Sequence, residues 1–213
     1  MNTSVPAVGW VEVRNRLASV TGARATEYQA LYRSDKGHAK GSAILAQLRR
    51  GIGKEPGDLP RLWGYTELDE DDFGPQYGQH ATAAEWAVHL ALTMFALHQQ
   101  SHEDRTMHVQ GTGLGTAVGR LQHGGPSPEA VRRRFTAAGT AIDITELTVH
   151  LRGLITQMRQ RAIGLDYGRL AADLFAWQNP EASVSVRRAW GRDLQNTLHR
   201  LERSSDHPKE DQT

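Results

Sequence analysis

Apolar side chains recur every three or four positions along most of the chain, the spacing that places them on one side of an α-helix. The clearest run lies within 80–101, where one stripe consists of Trp86, Leu90, Met94 and Leu97. No segment shows the strict alternation that is typical of a half-buried β-strand. The pattern therefore predicts an all-α fold, a compact two-lobed bundle of about eight to ten mostly short helices.

Capping signals mark where several of these helices begin. Asp143 and Glu146 have capping-box spacing ahead of a helix over 143–161, and Ile142 is placed to staple onto Leu147. Two further helix starts place a capping side chain before a proline at the first helical position: Ser127 with Pro128, and Asn179 with Pro180. A third start has Asp166 as its capping residue, without a proline. Amphipathic helices are also predicted at 9–20, 23–33 and 38–50.

A glycine-rich stretch, 104–115, is the best candidate for a boundary within the chain. We therefore predict an N-terminal helical lobe, 1–103, and a C-terminal helical lobe, 104–203. The last residues, 204–213, are polar and are predicted to be disordered.

The composition narrows the class of protein. With 213 residues the chain can bury a core, and without cysteine it can form neither a disulfide framework nor a cysteine-ligated metal site. No apolar run approaches the length of a membrane span, and the first residues do not resemble a signal peptide, so we expect a cytoplasmic protein without a membrane partner.

Charge is unevenly distributed although the net charge is only +1. The segment 66–72 carries five acidic residues and no basic one, and the last residues are also acidic, so the rest of the chain is positive. The basic residues comprise 21 Arg and only 4 Lys. Arginine makes bidentate phosphate contacts better than lysine, although a GC-rich genome would also raise the arginine content.

The stretch "LRRGIGKEPGDLPRLWG", 48–64, superficially resembles a phosphate-binding loop. Gly53 and Lys54 are followed by Glu55 rather than Ser or Thr, no glycine stands five residues before Gly53, and the preceding segment is helical, so the Walker A interpretation fails. Gly51 is instead predicted to end a helix in the left-handed conformation. The alternating glycines of "GTGLGTAVG", 111–119, lack dinucleotide-binding spacing and predict a loop entering a short helix.

Metal and catalytic sites find little support in the sequence. His98 and His102 are four residues apart and could share a helical face, but no third ligand is obvious beyond Glu103 or Asp104. His89 lies within the apolar helix and is predicted to be a hydrogen-bonded core residue. No nucleophile elbow and no paired-carboxylate site is present. We therefore predict no catalytic residues, no metal and no cofactor.

Basic side chains form three groups that could contact phosphates without reading sequence. The first lies near the 48–64 corner: Arg33, Lys36, Lys40, Arg49, Arg50, Lys54 and Arg61. The second joins Arg120 to the run Arg132, Arg133 and Arg134. The third surrounds Trp190: Arg187, Arg188 and Arg192, of which Arg192 has an alternative role as a brace to Asp193 or another acid. None has the interleaved aromatic residues of a base-stacking platform.

Several segments in order resemble the CasB family, the small subunits of the type I-E CRISPR surveillance complex, Cascade. They span about 40–200: "LRRGIGKEPGDLPRLWG", "AEWAVHLALTMFALHQQS", "GTGLGTAVGRL", "EAVRRRFTAAGTA", "ELTVHLRGLITQMR", "LDYGRLAADLFAWQNP" and "VRRAWGRDL". The most specific pieces are "LRRG", "LHQQ" and "WGRDL". Three features depart from the family pattern: the acidic insert at 67–72, the Gly and Ala residues of "AAGTA", and the long polar tail.

The resemblance implies a non-enzymatic, all-helical subunit that is present as two copies along the belly of the complex. Its implied partners are other Cascade subunits, a second copy of itself, the guide RNA, and the target and displaced DNA strands. Three alternatives stay open: a helical DNA-binding regulator with 127–138 as its recognition helix, a metal-dependent hydrolase using His98 and His102, and a purely structural spacer subunit.

Overall fold

The computed structural model describes residues 9–69, 73 and 80–206. Within this part of the chain there are nine α-helices and one short 3₁₀ turn, Pro60–Leu62, which confirms the all-α prediction. The helices are α1 (Trp10–Arg33), α2 (His38–Arg50), α3 (Trp63–Thr66), α4 (Ala83–Gln99), α5 (Leu114–Gly124), α6 (Pro128–Thr140), α7 (Ile144–Gln160), α8 (Tyr167–Trp177) and α9 (Pro180–Asp206).

Helix α4 is the centre of the bundle and packs against α1, α2, α3, α7 and α8. The buried side of α4 differs from the predicted apolar stripe. His89 and Thr93 lie outside the stripe but are buried, whereas Trp86 belongs to the stripe but is only half-buried. Both polar side chains form hydrogen bonds within the core: His89 Nε2 lies 3.1 Å from the Gly51 carbonyl, and the Thr93 hydroxyl donates to the His89 carbonyl at 2.8 Å. Among the described residues, His89 Nδ1 has no hydrogen-bond partner. The prediction of a hydrogen-bonded core histidine at position 89 is confirmed.

The two helices predicted at 9–20 and 23–33 are one continuous helix, α1, so that prediction was wrong. Gly22 does not break it, and α8 packs closely on this part of α1 through Gly168. A Cβ atom on Gly168 would lie 2.4 Å from the Ala18 carbonyl oxygen and 3.2 Å from Gly22 Cα. Close packing between α1 and α8 therefore outweighs the low helix propensity of glycine.

The predicted left-handed conformation of Gly51 was also wrong, since its φ is −78°. Glycine is needed there for space: a Cβ would lie 2.6 Å from Leu62 Cδ1 and 2.9 Å from Thr93 Cγ2. The left-handed residues of this corner come later, at Gly53 (φ 76°) and Gly57 (φ 92°).

Most capping predictions are confirmed. Asp143 and Asp166 accept from the backbone N–H groups of Glu146 and Arg169, at 2.7 and 3.0 Å. The predicted staple is wrong, because Ile142 is 89% exposed and its backbone N–H donates to the Glu146 carboxylate at 2.8 Å.

Two other starts differ in how they are capped. Asn179 Oδ1 accepts from the backbone N–H of Glu181 at 2.9 Å. Ser127 precedes Pro128 as expected, but its side chain makes no capping hydrogen bond.

One hydrophobic core includes buried side chains from both sides of the 103/104 boundary, among them Leu17 and Phe95 before it and Leu151 and Leu170 after it. The division into two lobes stays a prediction. Of the predicted polar tail, 204–206 continue helix α9, and 207–213 lie outside the described residues.

Candidate nucleic-acid interface

Two arginines from distant parts of the sequence, in the last turns of α2 and α7, are near enough for the charge of one to act on the other. Arg49, in the last turn of α2, is half-buried, and burial lowers the pKa of its guanidinium, with the like charge of Arg159 lowering it further. Arg159, in the last turn of α7, is held by donating to Gln100 Oε1 at 2.9 Å. Within the described part of the chain neither arginine forms a salt bridge. Two like charges close together favour the binding of an anion between them.

Most of the rest of the first predicted group is exposed to solvent. Five of its members are exposed: Lys36, Lys40, Arg50, Lys54 and Arg61. Arg33 has a structural contact, because its guanidinium donates to the carbonyl oxygens of Glu103 and Asp104 at 3.3 and 3.2 Å. Arg33 therefore ties the end of α1 to the turn after α4.

The second predicted group is exposed on α5 and α6. Arg120 lies on α5, and the three arginines of α6, Arg132, Arg133 and Arg134, all face solvent. Arg132 pairs with Glu129 at 2.9 Å. The aliphatic part of Arg134 lies over Gly153 of α7, where a Cβ would stand 2.7 Å from Arg134 Cδ.

The third group lies on α9, with Arg187 half-buried and Arg188 and Arg192 exposed. Trp190 between them is buried and contributes to the core. The alternative of a brace from Arg192 to Asp193 is not supported, because the Asp193 carboxylate accepts from Arg169 at 2.6 Å.

Known relatives agree with this architecture. The family model for CRISPR-associated protein Cse2 matches residues 44–194, well over half of the chain. The chain belongs to the Cse2 family. The CasB resemblance is thereby confirmed. No curated protein matches the chain.

Solved structures of Cse2 proteins superpose on it over most of its length. CasB from Thermobifida fusca is 37% identical, with a TM-score of 0.69, over 88% of this chain and 99% of that one. A Cse2-family protein from Thermus thermophilus is 24% identical, with a TM-score of 0.58, over 82% and 97%. A chain of a CRISPR RNA-guided surveillance complex is 22% identical, with a TM-score of 0.66, over 89% and 99%. The last two likenesses show the fold alone.

Arg159 was missing from the sequence-predicted groups of this Cse2 chain. Two sequence features could have suggested Arg159. It lies in the last turn of the predicted helix 143–161, and the polar "LHQQ" helix end contains its partner Gln100. Neither feature shows that the Arg159 charge acts on Arg49, because that depends on how α2 and α7 each pack on α4.

The histidine pair considered for a metal is engaged in separate hydrogen bonds. His98 Nδ1 lies 2.8 Å from the Tyr167 hydroxyl in the core, and His102 Nε2 lies 2.8 Å from the Arg159 carbonyl. Among the described residues, no three His, Asp or Glu side chains are grouped as metal ligands. No helix in that part of the chain is long and apolar enough to cross a membrane.

The buried His98 predicts acid sensitivity of the fold. Burial, with a smaller contribution from His102, lowers the pKa of His98 to about 3, against about 6.5 for an unfolded chain. As pH falls below that unfolded value, the unfolded state binds a proton that the folded state refuses, so stability is lost. Between pH 7 and pH 5 we expect the free energy of unfolding to fall by about 2 kcal/mol.

Urea unfolding at the two pH values measures this loss. Lowered pKa values of His89 and His108 act in the same direction, whereas the raised pKa of Asp173 opposes it. His98→Gln is expected to be less stable at pH 7 and to lose less on acidification. Equal stability of the wild-type protein at both pH values would contradict the prediction.

Proposed function

We propose that this chain is a non-enzymatic small subunit of a type I-E Cascade complex that holds nucleic acid by its phosphates without reading sequence. Membership of the Cse2 family supports the place in the complex, as does the likeness to chains of CRISPR RNA-guided surveillance complexes. Its proposed partners are other Cascade subunits, a second copy of itself, guide RNA, and the target and displaced DNA strands.

The observation that carries the nucleic-acid role is the effect of the Arg159 charge on Arg49. The two guanidiniums belong to different helices, both are half-buried, and neither forms a salt bridge among the described residues. A phosphate between them would relieve their repulsion and accept hydrogen bonds from both. The exposed Arg50 and Lys54 extend the same positive corner toward solvent.

The proposed mechanism is electrostatic. Guide pairing reads the target sequence, while the protein follows backbone and shape. Exchange of a DNA duplex for an RNA–DNA duplex is nearly balanced in free energy, so a few phosphate contacts can tip it. A strand held along the arginine groups cannot re-anneal, and the R-loop persists.

Fluorescence anisotropy with labelled single-stranded DNA, duplex DNA and RNA, over a salt series, tests the proposal. Wild-type protein should bind all three, weakening steeply with salt. Reversing the charges at the corner, Arg50→Glu with Lys54→Glu, should weaken single-strand binding at least about tenfold. It should also lower the salt slope by roughly 1.4, the value for two lost phosphate contacts.

The matched control is Arg200→Glu with Arg203→Glu, which changes the net charge equally on exposed positions near the end of α9. Triple reversals at Arg132, Arg133 and Arg134, and at Arg187, Arg188 and Arg192, test the other two groups separately. If the corner and control variants lose the same affinity, only net charge matters and the proposed corner is wrong. Absence of salt-dependent binding by the wild-type protein would contradict binding by the isolated subunit.

A further inference from the structure

A polar groove between α1 and α8 lies outside all three arginine groups. It has a volume of about 570 Å³ and is open to solvent along one side. Its base is formed where Gly22 and Gly168 bring the two helices together. The side chains around it that carry the inference are Arg14, Asn15, Ser19, His108, Gln110 and Arg169.

His108 is fixed with one ring nitrogen directed into this groove. The side chain of Gln29 holds its backbone at both the N–H and the carbonyl, at 3.0 and 3.2 Å. The ring's Nδ1 accepts from the Tyr167 backbone N–H at 3.1 Å, so in the neutral ring Nε2 carries the proton. That Nε2 lies 3.8 Å from where a Cβ of Gly22 would stand, on the groove side of α1. Although His108 is only 8% exposed, it thus presents an N–H donor to the groove.

Two arginines flank the groove with donors to spare. Arg14 pairs with Asp173 and Arg169 with Asp193, each through a single nitrogen, and both side chains remain about 40% exposed. The Arg14 Nε atom is buried without a hydrogen-bond partner. Arg169 is positioned by its contact with the backbone of Gly113, where a Cβ would lie 2.6 Å from the guanidinium carbon.

The one carboxylate bordering the groove, Asp166, is already committed. Its two oxygens accept from the backbone N–H groups of Arg169 and Gly111, at 3.0 and 2.7 Å. Asp173 and Asp193 balance the charges of Arg14 and Arg169, so the groove is distinguished by an excess of hydrogen-bond donors and not by a net positive charge. Such a set of donors matches a group with several acceptor oxygens.

We propose that the α1–α8 groove binds a phosphate group, held by His108 Nε2–H, Arg14 and Arg169. The source is either a phosphodiester of a nucleic-acid strand or a free phosphate compound. Only the first source rests on the proposed function, because phosphate binding itself needs no Cascade partner.

Imidazole ¹H–¹⁵N spectra of the full-length ¹⁵N-labelled protein test this site, with inorganic phosphate and a short oligothymidine as probes and chloride at equal ionic strength as reference. The His108 signal should shift saturably with phosphate. A shift with oligothymidine as well assigns the source as a strand, whereas a shift with inorganic phosphate alone assigns a free phosphate compound. No saturable shift with either probe overturns the proposal.

Ser19→Glu adds a carboxylate at the rim of the groove on an exposed helical position, and should weaken phosphate binding roughly tenfold. Ala30→Glu is the matched control, since it lies three turns further along the same exposed side of α1 and outside the groove. Equal effects of the two variants would also overturn the proposal. The charge reversal at Arg50 and Lys54 tests the corner independently of the groove. If that variant loses strand binding while the wild-type His108 signal does not respond to either probe, the proposed function stands and the groove proposal is refuted.

Discussion

Gly115→Ala is expected to lower the free energy of unfolding by about 2–3 kcal/mol, although alanine is the better helix former. Gly115 lies on the side of α5 that packs against α9. A Cβ there would stand 2.1 Å from the Trp190 carbonyl oxygen and 2.9 Å from the Leu194 backbone nitrogen. Even attractive carbon–oxygen contacts lie at about 3.3–3.6 Å, so α5 and α9 would have to separate. Urea unfolding monitored by circular dichroism measures the loss.

The matched control is Gly191→Ala in α9. A Cβ at that position meets nothing within 4 Å. Without a steric cost, the helix propensity of alanine should raise the stability by about 0.5–1 kcal/mol. The same substitution is thus expected to have opposite signs at two helical glycines. A neutral or stabilising Gly115→Ala would show that the α5–α9 contact can relax.

The glycines also show where sequence reasoning stops. The row at 111–119 was correctly placed in a loop entering a short helix, because glycine spacing and local polarity are visible in the sequence. The need for glycine at positions 115 and 119 does not come from neighbouring residues in the sequence. Each glycine faces α9, and a Cβ on Gly119 would lie 2.8 Å from Thr197 Cβ. Such a close contact depends on tertiary packing between segments that are far apart in the sequence.

Helix identity was largely predictable, since burial in a bundle imposes a helical period and capping side chains act within three residues. Asp143 and Asp166 illustrate this, because each cap uses a backbone N–H three positions later. The break predicted between 20 and 23 failed for the opposite reason: α1 packs there against Gly168 of α8, a contact that no neighbouring residue signals.

The candidate site was predictable only in part. Arg49, Arg50 and Lys54 could be proposed from the sequence because they crowd one helix end, a local feature. Arg159 could not, because Arg49, on which its charge acts, lies far away in the sequence and the two helices are brought near only by their packing on α4. Likewise, the carbonyl partners of Arg33 lie 70 and 71 positions away. Charge density along the sequence identifies candidates, but convergence and structural pairing require the fold.

Asp173→Ala is expected to cost about 3 kcal/mol, because it removes the acceptor that joins α1, α8 and α9. The Asp173 carboxylate, 7% exposed, accepts from Trp190 Nε1 at 2.8 Å and from Arg14 at 3.3 Å. Alanine would leave the indole N–H of a fully buried tryptophan without a partner. Asp173→Asn keeps an acceptor oxygen for that N–H. It also removes a charge whose burial raises the pKa of the carboxyl, a rise that Trp190, Arg169 and Arg14 only partly offset.

Asparagine should therefore cost about 2 kcal/mol less than alanine in urea unfolding at neutral pH. A double-mutant cycle with Trp190→Phe, which removes the indole N–H, separates the hydrogen bond from packing. We expect a coupling energy of about 1–2 kcal/mol between positions 173 and 190. Strictly additive losses would mean that the indole–carboxylate bond contributes nothing beyond the volume of its partners. Equal losses for alanine and asparagine would instead assign the effect to the charge beside Arg14, because only the charge is absent from both variants.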